Sequence, residues 1–129
     1  MNNLKFSVLD SDYNFKKYLL GDNYLGEYKN YKKHGRGTDK LINGTIYIGE
    51  FKEDKRHGQG ILTMPDGLKY IGEFKNDDPN GHGTMTVSNG MKYVGEFRNG
   101  SPIGQGILTP PKGTEIEGFW EDNKFKKQV

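Results

Sequence analysis

The sequence predicts an all-β protein built as an array of antiparallel hairpins, one every 23 residues, joined into a single sheet. Three observations carry this: a glycine-centred motif recurring at constant spacing, turn signals between segments too short for helices, and a composition rich in glycine and aromatic residues. The motif reads Tyr24-Leu25-Gly26-Glu27-Tyr28, Tyr47-Ile48-Gly49-Glu50-Phe51, Tyr70-Ile71-Gly72-Glu73-Phe74 and Tyr93-Val94-Gly95-Glu96-Phe97, offset by 23 at each step. Constant self-similarity at such a period marks a repeat architecture. Each copy carries a second glycine pair (Gly35 and Gly37, Gly58 and Gly60, Gly81 and Gly83, Gly104 and Gly106) and closes on Gly44, Gly67, Gly90 or Gly113.

The segments are rich in Tyr, Phe and Ile and bounded by Asn-Gly or Pro-Asp-Gly, the punctuation of successive hairpins. The turns suggest the register. Pro65-Asp66-Gly67, taken as a three-residue loop, puts Pro65 at the first central position of a type I turn and Gly67 at the left-handed bulge position. Leu62 then faces Tyr70, Gly60 faces Gly72 and Gly58 faces Phe74. A four-residue loop from Glu53 to Arg56 sets Phe51 opposite Gly58, Gly49 opposite Gly60 and Tyr47 opposite Leu62. Both readings produce one glycine row flanked by aromatic rows. Glycine weakens a strand, and close approach of Phe and Tyr rings to bare backbone is the expected compensation. The opposite face carries an aliphatic row (Leu25, Ile48, Ile61, Ile71, Val94, Ile107), a row alternating Glu with Arg36, Gln59, His82 and Gln105, and a largely basic row.

Composition agrees. The 129-residue chain is only 32% hydrophobic but holds 19 glycines, eight Tyr, seven Phe and one Trp, and its mean hydropathy is −0.89. That is little aliphatic mass for a thick core, whereas rings laid over backbone bury large areas per residue. A net charge of +2 is too weak to predict nucleic-acid binding, which a strongly basic stripe would dominate. The absence of cysteine excludes thiolate chemistry and a disulfide framework. Met1 to Leu20 lacks the apolar run of a signal peptide and no segment is apolar enough to span a bilayer, so a soluble, cytoplasmic protein is expected.

Tyr-x-Gly-Glu-Phe followed by His-Gly-x-Gly and a closing Asp-Gly or Asn-Gly resembles the MORN repeat (membrane occupation and recognition nexus) from about Lys17 to Trp120. The resemblance implies an elongated, twisted, single-layer antiparallel sheet acting as a protein-interaction or membrane-associated scaffold, often self-associating. It divides the chain into an N-terminal cap of strands and a half-repeat (1–23), four repeats (24–115), and a degenerate half-repeat with a tail (116–129). Asp39 in place of the Leu62-type residue, Asn80 and Ile103 in place of His, and Phe119 in place of Glu depart from the pattern.

No residue constellation here predicts catalysis, a metal or another cofactor. His34 and His57 recur in one column, but alternate strands stand roughly 9.5 Å apart, too far for shared zinc ligation at about 2.0 to 2.1 Å. The Glu row is expected to be a polar ladder fed by cross-strand donors, and a flat sheet offers no concave substrate site. The expected function is a non-catalytic scaffold binding another protein, with a second copy of the chain as a further partner. The alternatives are peripheral binding to anionic phosphoinositide membranes and a non-catalytic subunit of an enzyme complex; the expected location is cytoplasmic, at a membrane or cytoskeletal structure. The candidate binding residues are Lys29, Lys52, Lys75 and Arg98 along one edge, with Lys55 and Arg56 in the second loop. Residues 24–69 hold nine basic and six acidic side chains against seven and eight in 70–129. The second candidate surface is an aromatic groove of half-exposed Tyr24, Tyr47, Tyr70 and Tyr93, because tyrosine is favoured at interfaces.

Overall fold

The computed structural model describes residues 23–129; the N-terminal strand and half-repeat expected within residues 1–22 lie outside the described residues. Ten strands follow one another: β1 (Asn23–Lys29), β2 (Lys32–Lys40), β3 (Ile46–Lys52), β4 (Lys55–Thr63), β5 (Lys69–Lys75), β6 (Asp78–Thr86), β7 (Lys92–Arg98), β8 (Ser101–Thr109), β9 (Ile116–Glu121) and β10 (Lys124–Lys127). They form one sheet in chain order, and every neighbouring pair is antiparallel.

The longer connections behave as their residues dictate. Gly67 donates to the Met64 carbonyl at 2.9 Å and sits at φ +98°, the left-handed conformation glycine adopts without steric cost. Across this loop Leu62 pairs with Tyr70, Gly60 with Gly72 and Gly58 with Phe74, as the turn chemistry predicts.

The short connections differ from expectation. Glu53 and Asp54 form a two-residue tip with φ of +51° and +69°, so that Lys52 pairs with Lys55 and Phe51 with Arg56 rather than with Gly58. The two remaining residues are taken up by a bulge between Arg56 and Gly60, after which Gly49 opposite Gly60 and Tyr47 opposite Leu62 are recovered. The four-residue loop is therefore a two-residue turn with positive φ at both positions, whose twist suits a hairpin, plus a bulge. The Glu of the motif holds that bulge. The backbone N–H of Gln59 donates to Glu50 Oε1 at 3.0 Å, and that of Arg36 to Glu27 Oε1 at 2.7 Å. At these positions main-chain amides reaching over Gly58 and Gly35, both at positive φ, donate to the carboxylates, and the expected cross-strand pairing is present beside them as the ion pair of Arg36 with Glu50 at 3.7 Å.

The aromatic face is the core. Tyr24, Tyr47, Phe51, Leu62, Tyr70, Phe74, Tyr93 and Phe97 are buried, and their rings follow one another edge to face. Successive centroids lie 5.2 Å apart for Tyr24–Phe51, 5.0 Å for Phe51–Tyr47, 5.0 Å for Tyr47–Phe74, 5.1 Å for Phe74–Tyr70 and 5.0 Å for Tyr70–Phe97. Edge-to-face pairs at this distance add to the stabilisation from burial alone. Tyr24, Tyr47, Tyr70 and Tyr93 cross the glycine row, and at the last strands the Phe125 ring takes the same place over Gly118. Each tyrosine lies over the glycine two residues on, and Tyr24, Tyr47 and Tyr70 donate to the carbonyls of Glu27, Glu50 and Glu73 at 2.7, 2.8 and 2.9 Å, where the bulge interrupts the ladder. A Cβ at Gly72 would stand 2.5 Å from Gly83 Cα and 2.8 Å from the Tyr70 hydroxyl, so the row must be glycine.

Candidate interaction surface

The alternation of side chains across each strand separates the basic edge from the rings. Lys29, Lys52, Lys75 and Arg98 are the last residues of β1, β3, β5 and β7, and all four are exposed. Their partners across the tips are Lys32, Lys55, Asp78 and Ser101, which concentrates positive charge at the first two tips. A cleft of about 300 Å³ lies beside the second and third tips, lined by Lys52, Lys55, His57 and Lys75 together with Glu53, Arg56 and Asn76. Lys52, Lys55 and Lys75 against the single carboxylate of Glu53 make the open side of the cleft predominantly basic.

Two sequence-based assignments change. Arg56 does not belong to the free edge: its guanidinium carbon lies 5.8 Å from the centroids of both Tyr47 and Phe74, and its Nε donates to the Asp77 carbonyl at 3.0 Å. It covers the ring ladder because the two-residue tip brings it opposite Phe51. Nor do Tyr24, Tyr47, Tyr70 and Tyr93 line an open groove; each is at most 5% exposed. Burial pushes the Tyr47 and Tyr70 phenols up to about 12 and also raises those of Tyr24 and Tyr93. The hydroxyls of Tyr24, Tyr47 and Tyr70 are spent on carbonyls of their own strands, so folding consumes the polar end that an interface would use.

A second set of polar residues was missed by sequence reasoning. Asp54 N–H donates to the Lys33 carbonyl at 3.0 Å while Lys33 N–H donates to Asp54 Oδ1 at 2.8 Å; Asp77 and Arg56 repeat the clasp at 3.1 and 2.9 Å. At the next tip Gly100 N–H still donates to the Pro79 carbonyl at 2.9 Å, but proline has no N–H to return and glycine no carboxylate to receive it. The signal was present as paired change between repeats: Lys33 with Asp54, Arg56 with Asp77, Pro79 with Gly100. Lys33 is buried, with Nζ 2.6 Å from Asp39 Oδ2.

The histidines do not converge. His82 Nδ1 and Nε2 lie 3.9 and 3.8 Å from Glu73 Oε2 and Glu96 Oε2, bridging two exposed carboxylates, and no His, Asp and Glu cluster suited to a metal ion occurs among the described residues.

A sheet of tandem hairpins with a ring ladder on one face and charged rows on the other defines a repeat-array protein. The MORN repeat family model matches residues 24–44, 47–69, 70–92 and 93–115, and the chain belongs to that family. The MORN repeat is a non-catalytic repeat type known in scaffolds that bind proteins or membranes. Among curated proteins none matches this chain.

Proposed function

We propose that this protein is a non-catalytic scaffold that binds an acidic protein partner along its basic edge. The observation that carries the reading is the repetition of an exposed cation at one position of four successive hairpins, Lys29, Lys52, Lys75 and Arg98, with Lys55 beside them and the aromatic face withdrawn into the core. Two strands per repeat space these cations at about 9.6 Å, a pitch on which an extended acidic segment can meet several at once. Complementary charge of this kind sets association rate and partner choice.

The test is the triple variant Lys52→Glu, Lys75→Glu, Arg98→Glu. Exposed charges contribute about 0 to 1 kcal/mol each to folding, so the melting temperature should change little while capture of the acidic partner is lost. Unchanged capture would reduce the edge to a solubilising border. A second reading, docking on an anionic phosphoinositide membrane, is favoured by the cleft of about 300 Å³ lined by Lys52, Lys55, His57 and Lys75, which suits a phosphate group. Salt-sensitive pelleting with anionic liposomes, lost in the same variant, distinguishes it from the protein-only reading.

A further inference from the structure

The face opposite the rings carries an apolar row that folding leaves in water. Leu25, Thr38, Ile48, Ile61, Ile71, Thr84, Val94 and Ile107 pair in sequence across β1 to β8, and Leu25, Ile48, Ile71 and Val94 are 58%, 49%, 45% and 39% exposed. Exposed apolar side chains scattered singly are ordinary, but a contiguous row bordered by charge marks an interaction site.

The borders identify the occupant. On one side of the row, across successive strands, run Lys40, Ile46, Thr63, Lys69, Thr86, Lys92 and Thr109. On the other side lie Arg36, Glu50, Gln59, Glu73, His82 and Glu96. β5 therefore presents Lys69, Ile71 and Glu73 on this face, and β7 presents Lys92, Val94 and Glu96: a cation, an aliphatic centre and an acid in line.

We propose that two copies of the chain stack through this face about a two-fold axis running along the aliphatic row. That rotation lays each strand on its own counterpart in the opposite direction. Ile71 meets Ile71, Lys69 meets Glu73 of the second copy, and Lys92 meets Glu96, each pair occurring twice. A two-fold along the strands would instead lay Glu on Glu and Lys on Lys, so charge selects the first arrangement. On β2 the same rotation brings Arg36 onto Lys40 and on β3 Ile46 onto Glu50, which places the contact over β4 to β8, where the other facing pairs are Gln59 with Thr63, His82 with Thr86 and Gln105 with Thr109. From β4 to β8 the face spans on the order of 500 Å² by strand spacing and row width, the scale of a weak, reversible contact beside the roughly 800 Å² each partner contributes to a stable standard-size interface. At the far end Glu117 occupies the row beside Ile107 and closes it. The basic edge takes no part in this contact.

Sedimentation of the whole chain tests it, with three variants. Wild type should be a reversible dimer. The triple variant Ile48→Thr, Ile71→Thr, Val94→Thr should be monomeric with its melting curve intact, since Thr38 and Thr84 already occupy the row. Glu96→Lys should weaken the dimer by more than about tenfold, because Lys92 would then face a lysine. Adding Lys92→Glu to that variant should restore dimers with itself but not with wild type, which native mass spectrometry of a mixture would read directly. A wild type monomeric at all soluble concentrations, a threonine variant that still dimerises, or free mixing of the doubly exchanged chain with wild type would each overturn the proposal.

Discussion

The N-terminal hairpins and the C-terminal ones solve the same packing problem with different chemistry. Opposite the ring row, β2 and β4 place Lys33 and Arg56, each clasped by an aspartate of the next tip, whereas β6 and β8 place Pro79 and Pro102 opposite Phe74 and Phe97. The backbone N–H to carbonyl bond between tip and strand is common to Lys33, Arg56 and Pro79. The chain path is therefore set by rings, glycines and main-chain pairing, while the polar clasp is interchangeable with proline. A second contrast lies in the next row: Asp39 stands where the other hairpins carry Leu62, Met85 and Leu108. Its Oδ2 is paired with Lys33, and its buried Oδ1 has no hydrogen-bond partner.

That difference can be broken from either side. Lys33→Met should cost about 3 to 5 kcal/mol by leaving the Asp39 carboxylate buried without its counter-ion. Adding Asp39→Leu, which copies the other hairpins, should bring stability back to wild type or about 1 to 4 kcal/mol above it. Urea denaturation midpoints decide this; a single variant as stable as wild type would show that Asp39 does not depend on Lys33.

How far this contrast could be read beforehand differs residue by residue. Asp39 is visible as a departure from the repeat, but its partner is not, because Lys33 reaches it only once a two-residue tip has turned Lys33 onto the ring face. The same shift hid the role of Arg56. Glu53-Asp54 itself lacks the Asn-Gly signature of a two-residue turn, which stands only in the equivalent tip Asn99-Gly100, and the bulge that absorbs the difference leaves the register farther along the strand unchanged. By contrast, the Pro65-Asp66-Gly67 turn was legible because proline fixes the φ that the first turn position needs and glycine alone takes the left-handed position without steric cost. The basic edge was also legible, since strand alternation fixes its face whatever the tip does. The burial of the tyrosines was not, because a phenol fits both a core and an interface.

Glycine substitutions sharpen the comparison between the middle of the array and its end. Gly72→Val should cost about 3 kcal/mol, the upper part of the overpacking range, since a Cβ there meets Gly83 Cα and His82 O at 2.5 Å and backbone cannot rotate away. Gly95→Val should cost less. Its Cβ meets the Tyr93 hydroxyl first, at 2.5 Å, with the nearest backbone atom, Gln105 O, at 3.0 Å, and the end of a side chain yields more readily than backbone. Thermal melting of the pair checks the order, and equal losses would refute it.

The smallest effect expected separates Tyr70 from Tyr93. With folded phenols at about 12 for Tyr47 and Tyr70 and unfolded ones at the ordinary value near 10, the unfolded chain releases protons that the folded chain still holds. Stability should be level below about pH 9 and fall as pH rises from about 10 to 12. Tyr70→Phe should flatten part of that alkaline limb and cost about 1 kcal/mol at neutral pH for the lost bond to the Glu73 carbonyl. Tyr93→Phe loses no such bond and should be close to neutral there. Denaturant titrations at stepped pH measure both, and an unchanged alkaline limb in Tyr70→Phe would break the assignment.

The strict succession of strands from β1 to β10 also has a mechanical meaning. The inter-strand hydrogen bonds run across the strands and hence along the array, and the first and last strands stand at its opposite ends. A pull applied through β1 and β10 is thus directed along those bonds and loads the outermost hairpins, peeling them one row at a time instead of shearing a whole ladder at once. Because each hairpin contacts only its neighbours, the rest of the sheet stays folded as an end lets go. Under tension along the array, the expected unit of lengthening is one hairpin.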